Sequence, residues 1–214
     1  MNRQPDSFTA NGYLVIPEVL SLDDIAEIAD HLREFSGRSA RTRRLLRFSW
    51  CSDLAGSIRL NGQVADMLPS SYVSIQATYF PKCENDNWKV PLHRDFFVPL
   101  KERRDTPGWS GWSEKEGVQF ARPPTEILER LVAIRVHLEA STTTNGPLFV
   151  VPGSHLGPSD SDRVACEVPA GGALAMRPLV LHASSKVQEG TRRVLHFLFG
   201  PEHLEHGLAW ADAV

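Results

Sequence analysis

A chain of 214 residues is long enough to bury one substantial core and short for two. Its apolar and charged contents are those of an ordinary globular protein, and a formal net charge of -3 argues against a general binder of nucleic acid or anionic membrane. Three cysteines without C-x-x-C spacing, no basic-then-apolar leader and no apolar run of spanning length predict reduced thiols in a cytoplasmic protein with no membrane segment.

The first element expected is a strand in NGYLVIPEVL, 11–20, where a turn signal leads into an apolar run. Ser21 suits an N-cap and Asp23 and Asp24 complement a helix dipole; Ile25, Ile28, Ala29 and Leu32 then recur at helical spacing, predicting an amphipathic helix over 22–36. The one basic run, RTRRLLRFSW at 41–50, reads as a solvated face or loop rather than a phosphate site. A short helix is expected over 62–68, before Pro69. From residue 71 the pattern turns to strands, with β-branched and aromatic residues dominating 71–80 and 90–98. In 131–140, Ile134, Val136 and Leu138 alternate with Arg135, His137 and Glu139, which predicts a strand just after the helix-like PPTEILER. Further short strands are expected within 145–155, 162–184 and 192–200, punctuated by Asn-Gly, Pro-Gly and Gly-Gly turns.

Many short strands so spaced predict a mainly β protein with flanking helices (α+β), built as a sandwich, jelly roll or barrel with N-terminal helices packed outside. The expected organisation is one domain over 1–214, with 1–70 a helical elaboration and 71–200 the barrel. A long irregular segment, 101–124, carries Trp109 and Trp112 and reads as a flap over a site.

The chemistry concentrates in PLHRDFFVPL, 91–100. On a strand, His93 and Asp95 project to one face with Cα atoms about 7 Å apart, offering an imidazole and a carboxylate to a common point. The best third ligand is His182, at the end of MRPLVLHAS; two histidines and one carboxylate with open positions suit a non-haem iron centre. Arg193, entering the apolar strand VLHFLF, needs a carboxylate, and a dicarboxylate co-substrate would satisfy it; Arg192 is then expected to face solvent. The competing reading pairs Arg193 with an acid of its own chain.

These segments resemble the phytanoyl-CoA dioxygenase-like family of Fe(II)- and 2-oxoglutarate-dependent oxygenases, which includes ectoine hydroxylase. FTANGYLVIPEVLSLDDIAEI, the HRD triplet, NGPLFVVPGSH and LVLHASSKVQEGTRRVLHF are each similar to a family segment, in the family's order. The resemblance implies a double-stranded β-helix of cupin type, with iron held by His93, Asp95 and His182. It implies 2-oxoglutarate held by Arg193 and Ser184, with Gln76 a further contact for which Thr78 and Tyr79 compete. O2 is the third reactant, and the outcome is oxidation of a substrate C–H bond with release of succinate and CO2. Halogenating relatives carry a small residue in place of the carboxylate, so Asp95 points to hydroxylation or a related oxidation rather than halogenation.

Substrate contacts are expected from Arg135 and His137, which share a strand face, and from Trp88, Trp109 and Trp112 as walls. A small polar metabolite or natural-product intermediate suits these residues. His155 reads as structural, and His31, His196, His203 and His206 have no carboxylate at metal spacing. A zinc hydrolase on the same triad, or a jelly-roll binding protein without catalysis, stays open at this point.

Overall fold

Antiparallel pairing organises the chain in the computed structural model, which describes residues 5–35, 41–84 and 87–214. A larger sheet is built from β1 (Tyr13–Ile16), β10 (Ala173–Met176), β7 (Val132–His137), β12 (Thr191–Pro201) and β2 (Tyr72–Cys83), in that order. A smaller one runs β3 (Val90–His93), β11 (His182–Ser184), β8 (Leu148–Val150) and β9 (Val164–Cys166). These are the facing sheets of a jelly roll. Strands β4 (Val98–Leu100), β6 (Val118–Arg122) and β5 (Ser110–Lys115) form a third sheet.

Strand alternation separates two cores. On β12, Leu195, Phe197 and Phe199 turn outward and pack with Ile134 and Val136 of β7 against Ile28, Leu32, Cys51, Ala55 and Ile58. Those five come from α2 (Leu22–Leu32) and α3 (Ser49–Leu60), which follow the short α1 (Asp6–Asn11), so the N-terminal helices cover the outer face of the larger sheet as expected. Phe197 and Phe199 are wholly buried there, and truncating either to alanine would cost about 3–5 kcal/mol. The opposite face of the sheet contributes Ala133, Leu174, Met176 and Leu198 to a second cluster with Leu148, Val150 and Cys166 of the smaller sheet. Ser21 caps α2 reciprocally: its hydroxyl accepts from the Asp24 N–H at 3.1 Å while its own N–H donates to the Asp24 carboxylate at 2.8 Å. That helix tightens into a 3-10 turn at Arg33–Phe35, and position 36 lies outside the described residues. Among the described residues, no helix is long and apolar enough to cross a membrane.

Five local features differ from expectation. The run 90–98 is two strands, because β3 pairs with β11 and the chain then leaves that sheet, with the Asp95 N–H donating to the Pro178 carbonyl at 2.9 Å. Strand 71–80 continues to Cys83, held along its length by β12. The segment 101–124 contains the β5–β6 hairpin, closed by Glu116 and Gly117 at φ 54° and 73°, the positive pair of a type I′ turn. Helix α3 was not anticipated, although Cys51, Ala55 and Ile58 recur at helical spacing and are buried. Helix α4 (Gly62–Ala65) is shorter than the expected 62–68.

Candidate active site

His93 ends β3 directly opposite His182 at the start of β11, their rings 4.2 Å apart between centroids. Asp95 reaches them from the turn after β3 rather than from a strand face: its two carboxylate oxygens lie 3.6 Å from His93 Nε2 and 3.6 Å from His182 Nε2. One donor atom from each residue lies within 4.8 Å of the others. His93 Nδ1 faces the carbonyls of Pro91 and His182, at 2.9 and 3.1 Å, and His182 Nδ1 faces the Val180 carbonyl at 2.9 Å. Carbonyls only accept, so both Nδ1 atoms carry the proton and both Nε2 lone pairs point at the common centre. Burial works to raise the Asp95 carboxyl, but the facing imidazoles of His93, His182 and His196 outweigh it and hold the group well below the usual carboxylate range. The result is a divalent-metal donor set: two neutral imidazoles and one ionised carboxylate.

Ser154, in the PGSH turn, ties the two ligand-bearing segments together. Its hydroxyl accepts from the Leu181 N–H, next to His182, at 2.8 Å, and its carbonyl accepts from Arg94 Nη2, between His93 and Asp95, at 2.8 Å. Arg94 Nε also donates to the Leu179 carbonyl at 2.8 Å. Arg94 is therefore spent on backbone, and its place in the HRD triplet is explained by positioning.

The triad opens into a cavity of about 530 Å³. Seven of its described lining side chains are Lys or Arg, and only Asp95 is a carboxylate. Lys82 and Arg192 are direct cross-strand partners on β2 and β12, both almost fully buried. Lys82 Nζ donates to Ser184 Oγ and to the Ser185 carbonyl, both at 2.9 Å, and sits 5.1 Å from the Trp88 ring centroid. Burial, then Arg192 and Arg135, push its ammonium down to about 7. Arg192 donates through Nη1 to the Gly146 carbonyl and leaves Nε without a partner among the described residues; burial and Arg135 lower it to about 9. Arg135 donates through Nη1 to His196 Nδ1 at 3.0 Å, and its Nε has no partner among the described residues. Burial, then Arg135, hold the His196 imidazole neutral, with its pKa near 3.

The sequence-derived site residues divide accordingly. His93, Asp95, His182, Ser184, Gln76, Thr78, Arg135 and Trp88 all line the cavity; Tyr79 faces the outer core instead. Arg193 does not line it. It follows the outward parity of Leu195 and Phe197 and pairs with Glu139, its Nε donating to the carboxylate at 2.5 Å, so Arg192 takes the inward place expected for Arg193. His137 shares a face with Arg135 but is buried and does not line the cavity, both ring nitrogens unpartnered among the described residues and its pKa lowered by burial and then Arg135. Trp109 and Trp112 stack on each other at 6.5 Å and pack against the inter-sheet core rather than walling the cavity. His155 is structural, Nε2 facing the Thr9 carbonyl at 3.1 Å.

Sequence reasoning missed Lys82, His196, Phe80, Arg41 and Arg43, all of which line the cavity. A signal existed for two of them. With Gln76 inward, alternation along β2 turns Thr78, Phe80 and Lys82 inward as well. No comparable pattern marked Arg41 and Arg43.

A jelly roll gathering two histidines and a carboxylate beside a cationic cavity defines a non-haem, metal-dependent class of enzyme. The family model described as Phytanoyl-CoA dioxygenase (PhyH) matches residues 8–194, and the chain belongs to that family. The family uses Fe(II), 2-oxoglutarate and O2. No curated protein sequence matches significantly. Among solved structures, iron-bound HygX from Streptomyces hygroscopicus shares 20% identity at a TM-score of 0.65, covering 97% of this chain and 94% of its own. The same protein with nickel and 2-oxoglutarate bound gives 20% and 0.64, covering 91% and 84%. The nickel complex of ThoJ, a non-haem monooxygenase, gives 16% and 0.68, covering 98% and 81%. SnoK, a 2-oxoglutarate-dependent carbocyclase from nogalamycin biosynthesis, gives 15% and 0.64, covering 97% and 90%. These likenesses establish the fold.

Proposed function

We propose that this chain is an Fe(II)- and 2-oxoglutarate-dependent hydroxylase of a small polar metabolite or natural-product intermediate, with His93, Asp95 and His182 as the iron ligands. Arg192, with Lys82 and Ser184, holds the distal carboxylate of 2-oxoglutarate. One observation carries the reading: three buried cations that have no carboxylate within ion-pair distance among the described residues, Lys82, Arg135 and Arg192, face the same cavity as the triad. Each such charge costs several kcal/mol to bury alone, and a dianion among them removes the cost. Ser184 lies two residues along β11 from His182, a Cα spacing of about 7 Å that suits a five-carbon diacid reaching from the metal to Lys82 and Arg192.

Iron and 2-oxoglutarate, when bound, supply with O2 the oxidising power that leaves succinate, CO2 and an oxidised substrate. The protein's own residues position and exclude. The proton on each Nδ1 directs both imidazoles at the metal. Neutral His196 accepts from Arg135 and so orients its guanidinium without adding a second positive charge. Gln76 Nε2 donates to Thr78 Oγ1 at 3.0 Å, which leaves its carbonyl oxygen to accept from a ligand. Phe80, Phe96 and Phe97 line the cavity with apolar surface that keeps bulk water from the reacting centre. Asp95 fills the position a halide would need, which favours hydroxylation over halogenation.

Anaerobic addition of Fe(II) and 2-oxoglutarate tests the reading. A weak visible charge-transfer band is expected, absent with zinc and absent in His182→Ala. No band together with no 2-oxoglutarate affinity would remove the proposal. A metabolite screen reading succinate formation then identifies the substrate.

A further inference from the structure

The basic run reaches the cavity by docking on a sheet edge. Thr42 forms an antiparallel bridge with Tyr79 of β2, its N–H donating to the Tyr79 carbonyl at 3.1 Å and its carbonyl accepting from the Tyr79 N–H at 2.8 Å. Tyr79 points to the outer core while its neighbours Thr78 and Phe80 point to the cavity. Across the bridge the same alternation turns Arg41 and Arg43 over the cavity, and both line it. The guanidinium of Arg41 lies 5.8 Å from the Phe80 ring centroid. From the other side, the type I′ hairpin presents Lys115, whose ammonium lies 5.7 Å from Phe97 and 5.4 Å from Phe120.

Only one of these cations is neutralised. Arg43 pairs with Glu116 at 2.5 Å, which also ties the basic run to the hairpin. Among the described residues, neither Arg41 nor Lys115 has a carboxylate within ion-pair distance. Burial lowers the pKa of Lys115 and the charges of Arg43 and Arg41 lower it further, so the three cations feel one another. Arg41 is lowered by burial and by Arg43 and drawn the other way by Asp95 and Glu116. Three cations that share, among the described residues, one carboxylate within ion-pair distance are a charge excess that an arriving anion completes. The site differs from the Lys82, Arg192 and Ser184 pocket, whose side chains are buried while Arg41 is exposed.

We propose that Arg41, Arg43 and Lys115 form a subsite for an anionic group of the substrate, a phosphate monoester or a carboxylate, carried on an apolar body lying against Phe80, Phe97 and Phe120. That the rest of this molecule presents its reacting carbon to the metal rests on the oxygenase reading; the anion subsite itself does not.

Calorimetric titration of the full chain with phenyl phosphate, benzoate and the neutral control benzyl alcohol tests the subsite. At least one anion is expected to bind at least tenfold more tightly than the alcohol, and the stronger of the two identifies phosphate or carboxylate as the preferred group. Arg41→Gln and Lys115→Gln should each weaken the anion about tenfold while leaving benzyl alcohol and 2-oxoglutarate affinities unchanged. Unchanged thermal midpoints in both variants certify their fold. Equal binding of charged and neutral probes, no anion binding, or loss in Lys82 and Arg192 variants instead of these two would overturn the proposal. Iron is not needed for these titrations, so failure of the oxygenase reading is detected separately, by a missing charge-transfer band.

Discussion

Replacing Lys82 with methionine keeps the apolar stem, deletes the charge, and is expected to make the ligand-free protein more stable while crippling it. The ordinary lysine value of 10.5 is depressed to about 7 in the fold, first by burial and then by Arg192 and Arg135. At about 1.36 kcal/mol per unit, the charged side chain burdens the fold by an order of 4 kcal/mol near neutral pH. Methionine also strands Ser184 Oγ and the Ser185 carbonyl, each costing about 1 kcal/mol. The net expectation is a gain of roughly 2 kcal/mol in unfolding free energy at pH 7, read by urea denaturation. Between pH 7 and 10.5 the unfolded chain holds a proton that the folded chain has lost, so wild-type stability rises with pH there and the variant's advantage shrinks. The same substitution should weaken 2-oxoglutarate at least tenfold by removing a charge-assisted contact. A variant that is less stable at pH 7 and binds 2-oxoglutarate normally would show Lys82 to be a structural staple of the Ser184–Ser185 segment.

Adjacent arginines provide a sharper pair. Arg192→Ala should lose 2-oxoglutarate binding with metal content near normal, whereas Arg193→Ala, which removes only the half-exposed pair with Glu139, should cost no more than about 1 kcal/mol and leave that affinity intact. Ser154→Ala should weaken metal binding about tenfold by metal titration, because the Leu181 N–H and the approach to His182 lose their support. Gly146 carries the carbonyl that holds Arg192, at φ +76° with an added Cβ only 2.9 Å from the Ser185 carbonyl oxygen. Gly146→Ala should therefore cost about 1–3 kcal/mol by thermal or urea unfolding and lower 2-oxoglutarate affinity as well.

Much of the site was legible because its chemistry is local. His93, Asp95 and His182 could be chosen from residue type and flanking strands, and the NGPLFVVPGSH segment could be matched before its work was known. The structure gives that segment its tasks: Gly146 holds Arg192, and Ser154 holds the backbone beside His182 and the side chain of Arg94. Arg192 and Arg193 could not be told apart by type, since each is an arginine opening the same strand. Parity decides between them, and parity is set by which face of β12 packs on the helices. The segment 101–124 hid its hairpin because Glu116, a non-glycine residue at positive φ, is a weak turn signal.

Read alone, the chain determined its strand grammar, the capped amphipathic helix and the choice of His93 and Asp95 as a ligand pair, because each depends on neighbours a few residues apart. Only the tertiary structure decided which cations meet. Lys82, Arg135 and Arg192 come from three strands, and Arg41 and Lys115 from segments more than seventy residues apart in sequence. Burying like charges together is unfavourable at every local level of the chain, so no periodicity announces it. It becomes visible when pairing β2 with β12, and docking Thr42 on Tyr79, turn those side chains into one cavity.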